Sequence, residues 1–349
     1  MGEQFFVGES QNFAEWQSFV DSCDSASIFQ TSYWAKALKE AGTKTLLIVA
    51  RDRGGDIKGG MLSTYVKFSF LKLSIVPSMT VLGGPLVYDV DDNQLLHDIV
   101  KFFDTKAKNL GAFVSSLRSF FPLDKILIRQ LNYEFGRLPC TMLFDLNRSI
   151  EELWKNMEKN ARYGVRKATK AGVVVEEATS FDDLLAYYQI QENTSGRLGI
   201  PLISFQVLST LWQNFFPKGI LKLFLARCDT QPIAGVIVFT WQDKIWPYLA
   251  ASFKQYWRLH PNLMLHWHIL KWGKDNGMKM YDFMGIPCSA DRNHPLYNLY
   301  LFKKQFGGQI VRHGEYVKNQ FRLKSNLYHR MLKLTYPVIS LMRKEKMAK

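Results

Sequence analysis

Four cations, Arg162, Arg166, Lys167 and Lys170, crowd one short stretch of this chain. On a helix Arg162 with Arg166, and Arg166 with Lys170, are i,i+4 pairs, so one face carries a positive ridge. Like charges so placed repel, a cost that bound phosphates would remove. A merely solvated face is the alternative. Asp282, after Tyr281 at the end of an expected strand, offers a carboxylate that can take a proton from an amine, or can serve as a structural cap. Tyr248, within the run Trp246 to Ser252, either reaches a cleft with its hydroxyl or packs in a strand core. His266 and His268 stand two apart on an expected helix, hence on different faces, and no partner spacing completes a metal site. No G-x-S-x-G elbow, Walker loop or dinucleotide fingerprint occurs.

The elements that must position these residues follow from a repeat. Ala50-Arg51, Ile57, Gly59 and Thr64 recur as Ala226-Arg227, Ile233, Gly235 and Thr240, at a constant offset of 176. Each copy reads as a strand, a polar turn and a second strand, which is a β-hairpin. A period of half the chain means two copies of one domain. In the first copy, helices are expected at residues 13–22, 32–41 and 92–110, around a hairpin at 45–66 and a break at Gly83-Gly84-Pro85. Strands near 112–117 and 140–146 are expected to close that unit. The second opens at Ser149 and Glu152, a capping box, and continues with a hairpin at 220–242, a strand at 244–252, a helix at 262–276 and a strand at 278–283. Alternating strands and helices argue an α/β (α+β) fold. The expected boundaries are 1–147 for the first domain, with 317–349 packing back on it, and 148–316 for the second, without a coiled-coil arm.

A chain of 349 residues holds two domains, each with a core, and 47% hydrophobic content excludes disorder. The excess of 45 basic over 31 acidic residues, a net +14, fits either a generally basic, soluble surface or a polyanionic partner: nucleic acid, a phosphorylated substrate or an anionic membrane face. Cys23, Cys140, Cys228 and Cys288 are scattered, suggest neither a disulfide framework nor a zinc site, and fit a reducing cytoplasm. No signal peptide and no apolar run long enough to span a bilayer is read from the sequence, so a cytoplasmic protein is expected. The basic, partly apolar segment after Tyr316 packs back on the first unit or lies on a membrane surface.

Four segments, in order, resemble the FemAB-type family of aminoacyltransferases. They are Asn160 to Val173, Thr194 to Pro201, Leu259 to Gly285 with its Tyr281-Asp282-Phe283-Met284-Gly285 end, and Leu299 to Gly308. Gln30-Thr31-Ser32-Tyr33-Trp34 and Gly83-Gly84-Pro85 extend the likeness to the first half. The resemblance implies two tandem GNAT-like acyltransferase domains and no metal or other cofactor. It implies transfer of an amino acid from aminoacyl-tRNA to an amine of a peptidoglycan-type or other cell-envelope precursor, lipid- or nucleotide-linked.

It also distributes roles. Lys303 is the first catalytic candidate, since in the family the Phe-Lys pair matched by Phe302-Lys303 sits beside the bound tRNA end, with Asp282 and Tyr248 as further candidates. Trp34, Lys36, Thr194, Arg197 and Phe302 fall among the acceptor contacts, Arg197 near phosphates. Arg162, Arg166, Lys167, Lys170 and Lys304 are expected to meet tRNA. Acetyl-CoA is disfavoured as donor, because the turn Arg258-Leu259-His260-Pro261-Asn262 before the central helix has no glycine and its proline removes an amide. An N-acyltransferase using another activated donor in cell-surface polysaccharide or lipid modification is the second reading. A non-catalytic RNA- or membrane-binding relative is the third.

Overall fold

The repeated passage forms the same hairpin twice. The computed structural model describes residues 5–70, 74–200, 202–289 and 291–321. These fall into two compact units, one of residues 5–139 and 312–321 and one of 140–311.

The first unit opens with β1 (Phe6–Ser10), α1 (Phe13–Asp21) and α2 (Ser32–Glu40), followed by β2 (Lys44–Arg51), β3 (Ile57–Phe70), β4 (Ser74–Gly83) and β5 (Leu86–Val87). Then come α3 (Asn93–Asn109), β6 (Val114–Ser119), α4 (Lys125–Gln130) and β7 (Glu134–Phe135). The second unit contains β8 (Cys140–Asp145), α5 (Ile150–Asn156), α6 (Lys159–Lys170), β9 (Val173–Glu177), α7 (Phe181–Leu198) and α8 (Phe205–Phe215). It continues through β10 (Leu221–Cys228), β11 (Gln231–Trp241), β12 (Lys244–Ser252), α9 (Pro261–Asp275), β13 (Met280–Asp282), α10 (Tyr297–Lys304) and β14 (Gln309–Arg312). The chain then supplies β15 (Gly314–Asn319) to the sheet of the first unit.

Both units repeat one plan. A strand and two helices precede three antiparallel strands; a helix then leads to a strand parallel to the third of these, β6 beside β4 and β13 beside β12. The sheets run β1-β2-β3-β4-β6-β15-β7, with β5 also on β3, and β14-β8-β13-β12-β11-β10-β9. One apolar helix face covers each sheet. On α3 it is Leu96, Ile99, Val100, Phe103 and Ala107, at the i, i+3, i+4, i+7 spacing of a buried stripe; on α9 it includes Leu265, Ile269 and Leu270. Helix α7 starts on a Ser180–Asp183 capping box and stops at Gly199, whose φ of 65° suits a residue without Cβ.

Two expectations change. Strand β8 does not close the first unit: it pairs antiparallel with β13, Met280 opposite Asp145 and Asp282 opposite Leu143, while β15 takes the corresponding place beside β6. Cys140 and Cys288 form a disulfide, with Cα atoms 5.1 Å apart, where no disulfide framework was expected; Cys23 and Cys228 are free. Past Phe321 the expected tail lies outside the described residues. Among those described, no helix is long and apolar enough to cross a membrane.

Candidate active site

The chemistry expected of Asp282 and Lys303 converges on the turn that follows β13. Asp282 is buried, and one carboxylate oxygen accepts from the Thr141 hydroxyl and, at 2.8 Å, from the Met284 N–H. That bond shapes a sharp turn in which Met284 takes a φ of 62°, an uncommon conformation for a residue with a side chain. The carbonyls thereby turned inward meet Lys303 on α10. Its Nζ donates to Phe283 O at 2.6 Å, Gly285 O at 3.1 Å and Met284 O at 3.3 Å. An ammonium has three N–H donors, and all three are used. Burial pushes the Lys303 pKa down to about 8, against the opposing pull of Asp282. The result is a buried cation held by neutral dipoles, with a carboxylate near it.

Aromatic rings enclose this group. Phe283 lies 5.2 Å from the ammonium, and Phe302 and Phe306 pack edge-on against Phe283. His266 packs 4.5 Å from the Phe283 ring and shares a 2.6 Å hydrogen bond with the Tyr281 hydroxyl. Burial, reinforced by the charge of Lys303, pushes its pKa down to about 3, so it stays neutral in a packing role. Phe302 therefore builds the wall of the site. Lys304, the next residue, is exposed.

A second cluster forms where α7 ends. The Thr194 hydroxyl accepts from Ser252 N–H at 3.1 Å and donates to Ser252 O at 3.2 Å, fastening α7 to β12 instead of facing a substrate. Ser252 Oγ accepts from Trp257 Nε1 and Asn262 Nδ2, each at 3.0 Å. Arg197 lies with its guanidinium 4.6 Å from the Trp257 ring, and its buried Nε has no partner among the described residues. Burial lowers its pKa. An arginine placed over an aromatic ring keeps its donors available to an anion.

Tyr248 marks a bulge: Ile237 pairs with Leu249 and Val238 with Pro247, leaving Tyr248 as the extra residue of β12. Its ring is half-buried, edge-on to Phe239 at 5.4 Å. Helix α6 divides the expected ridge. Arg162 turns back to donate to the carbonyls of Lys155 and Met157, each at 2.8 Å, closing the C-terminus of α5. Arg166, Lys167 and Lys170 remain exposed, Arg166 over the Trp154 ring at 5.4 Å. Of the residues in the first unit, Trp34 is buried edge-on to Phe29 and Lys36 is exposed, 3.9 Å from Glu40. Trp34 thus has a core position where a substrate contact was expected.

Helix α9 starts at His260-Pro261 with His260 at a φ of 54° and no side-chain cap. A mixed-charge cleft of about 750 Å³ opens around Met280, Lys279 and Gly308, where Lys279 and Asp243 pair at 3.1 Å. Sequence reasoning missed Thr141 and the Cys140–Cys288 link. The two cysteines stand 148 residues apart, with no spacing signal; Ile286, bonded both ways to Cys140 in the backbone, joins the turn to β8.

A family model described as an acetyltransferase (GNAT) domain matches residues 155–293. The lipid II:glycine glycyltransferase of Staphylococcus haemolyticus (strain JCSC1435) is 20% identical over 391 residues, covering 88% of this chain and 91% of that protein. The crystal structure of FemX is similar with a TM-score of 0.67 at 17% identity, over 95% of this chain and 100% of that one. A tandem GNAT protein from the clavulanic acid biosynthesis pathway gives a TM-score of 0.58 at 11% identity, over 91% and 99% of the two chains. Two copies of one GNAT-like fold make up the described chain. Over nearly its whole length the chain is similar to proteins of the FemAB type.

Proposed function

We propose that the protein transfers an aminoacyl group from aminoacyl-tRNA to an amine of a peptidoglycan precursor. The amine nitrogen attacks the ester carbonyl: a C–N bond forms, the C–O bond to the ribose oxygen breaks, and the proton lost by nitrogen ends on that oxygen. Lys303 contributes the positive charge, which favours the negative charge developing on the carbonyl oxygen. Asp282 and Thr141 fix the turn that holds Lys303. Arg197, stacked on Trp257, offers the acceptor's phosphates a preorganised cation. Tyr248 and Lys36 remain candidate contacts, as does exposed Lys304 for tRNA.

The observation that carries the donor class is the start of α9. Its His260-Pro261 turn lacks the glycines and one amide needed to cradle a pyrophosphate, which argues against CoA, while neighbouring α6 presents exposed cations. The acceptor class rests on relatives named for action on lipid II. The test is transfer of radiolabel from a pool of charged tRNA to lipid II, with RNase-treated tRNA as control. RNase-sensitive label in the lipid is the expected result. Absence of transfer, with the same lipid II active toward another transferase, overturns the proposal in favour of a different activated acyl donor.

A further inference from the structure

Helix α6 has the sequence Lys-Asn-Ala-Arg-Tyr-Gly-Val-Arg-Lys-Ala-Thr-Lys and no acidic residue. Its apolar face, Ala161, Gly164, Val165 and Ala168, is buried. At Gly164 a Cβ would stand 2.4 Å from the Leu263 Cδ1 of α9, so α6 lies close against that helix. The opposite face centres on Tyr163, which is 63% exposed. At 100° per residue, Lys159, Arg166, Lys167 and Lys170 all fall on the same side as Tyr163, at i−4, i+3, i+4 and i+7. They span about 16 Å along the axis. None of them pairs with a carboxylate among the described residues.

We infer that this face binds single-stranded RNA, with Tyr163 stacking on an unpaired base and the flanking cations contacting phosphates. The inference rests on the proposed RNA donor and extends it to a residue and a strandedness. The exposed Tyr163 ring lies among cations, and a base offers such a ring a π-face, which every base has. Paired strands hide those faces and leave mainly phosphate, ribose and groove contacts, so Tyr163 distinguishes unpaired from duplex RNA. A lipid surface fits less well. An interfacial helix inserts its apolar face, and the apolar face of α6 is already covered by the protein.

The test measures affinity of the full chain for an unstructured single-stranded RNA octamer and for a duplex of the same strand, by fluorescence anisotropy, in wild type, Tyr163→Ala and Tyr163→Phe. Tyr163→Ala is expected to weaken single-strand binding about tenfold, as for loss of one stacked base, and duplex binding less than twofold. Tyr163→Phe, which keeps the ring, is expected to restore binding. Lys167→Ala with Lys170→Ala should weaken both ligands and reduce the salt slope. An equal effect of Tyr163→Ala on both RNAs, or none, overturns the inference. So does loss of binding to phosphatidylglycerol vesicles without loss of RNA binding. Single-strand binding through Tyr163 by a chain that transfers nothing from charged tRNA would keep this inference and overturn the donor. Undiminished transfer and RNA binding in Tyr163→Ala would do the reverse.

Discussion

The two units use one arginine in the same way and one lysine in opposite ways. Arg51 donates to Gly55 O in its own turn and grips Glu15 of α1; Arg227 donates to Thr230 O in its own turn and grips Asp183 of α7 at 2.5 Å. Each acid is the third residue of its helix. The repeated Ala-Arg therefore pins each hairpin to the helix that follows its unit's leading strand, α1 after β1 and α7 after β9. The two cations differ. In the first unit Lys318 meets the Asp104 carboxylate at 2.5 Å, which also accepts from Tyr133 at 2.7 Å and Gln320 at 3.1 Å, so charge meets charge. In the second, Lys303 rests on three carbonyls, and its charge is only partly offset by Asp282. The same fold yields a closed structural pair in one copy and a cation with field to exert in the other.

Breaking each cation should separate the two. Lys318→Met is expected to lower stability by about 3 kcal/mol, because it leaves a buried carboxylate short of its ion-pair partner, and to leave transfer within twofold. Urea unfolding and initial rates check this; a large rate loss would erase the contrast. The disulfide belongs to the second unit, and Cys288→Ser should cost about 2–4 kcal/mol through the loop it closes, an effect that urea titration with and without reductant reads directly. The shared arginines should behave alike: Arg51→Ala and Arg227→Ala each lose about 1–2 kcal/mol of charged hydrogen bonding. Unequal losses would show that the two hairpins are pinned differently.

A further effect concerns pH. The folded pKa of Lys303, about 8, lies below its ordinary value of 10.5, so between these values the unfolded chain binds more protons. Stability from this group should therefore rise with pH across that window, by at most about 1.4 kcal/mol per pH unit. Subtracting the pH dependence of Lys303→Met from that of wild type isolates it; an unchanged slope would place Lys303 in a solvated setting.

Much of the fold was legible because the hairpin does the same job twice and so keeps the same letters. The partner of β8 was not: a strand with apolar residues at Cys140, Met142 and Phe144 needs a sheet but does not record which one. The four cations of α6 looked equivalent, and only the position of the α5 carbonyls separates Arg162 from Arg166. Trp34 and Thr194 were marked by their motifs, and motifs preserve packing as well as contact with substrate. Lys303 was found by its neighbours in sequence. Its three carbonyl partners were not, because they depend on a turn set by Asp282 and on Thr141, which lies 141 residues earlier.

The central claim is that the Lys303 charge serves transfer. Single-turnover transfer from radiolabelled aminoacyl-tRNA to lipid II, in wild type and Lys303→Met of equal folded fraction, tests it most directly. A fall of about 10²–10³ in the rate with tRNA affinity unchanged is expected for loss of one preorganised electrostatic group. A rate within twofold of wild type would contradict the claim and leave Lys303 as a structural anchor of the turn.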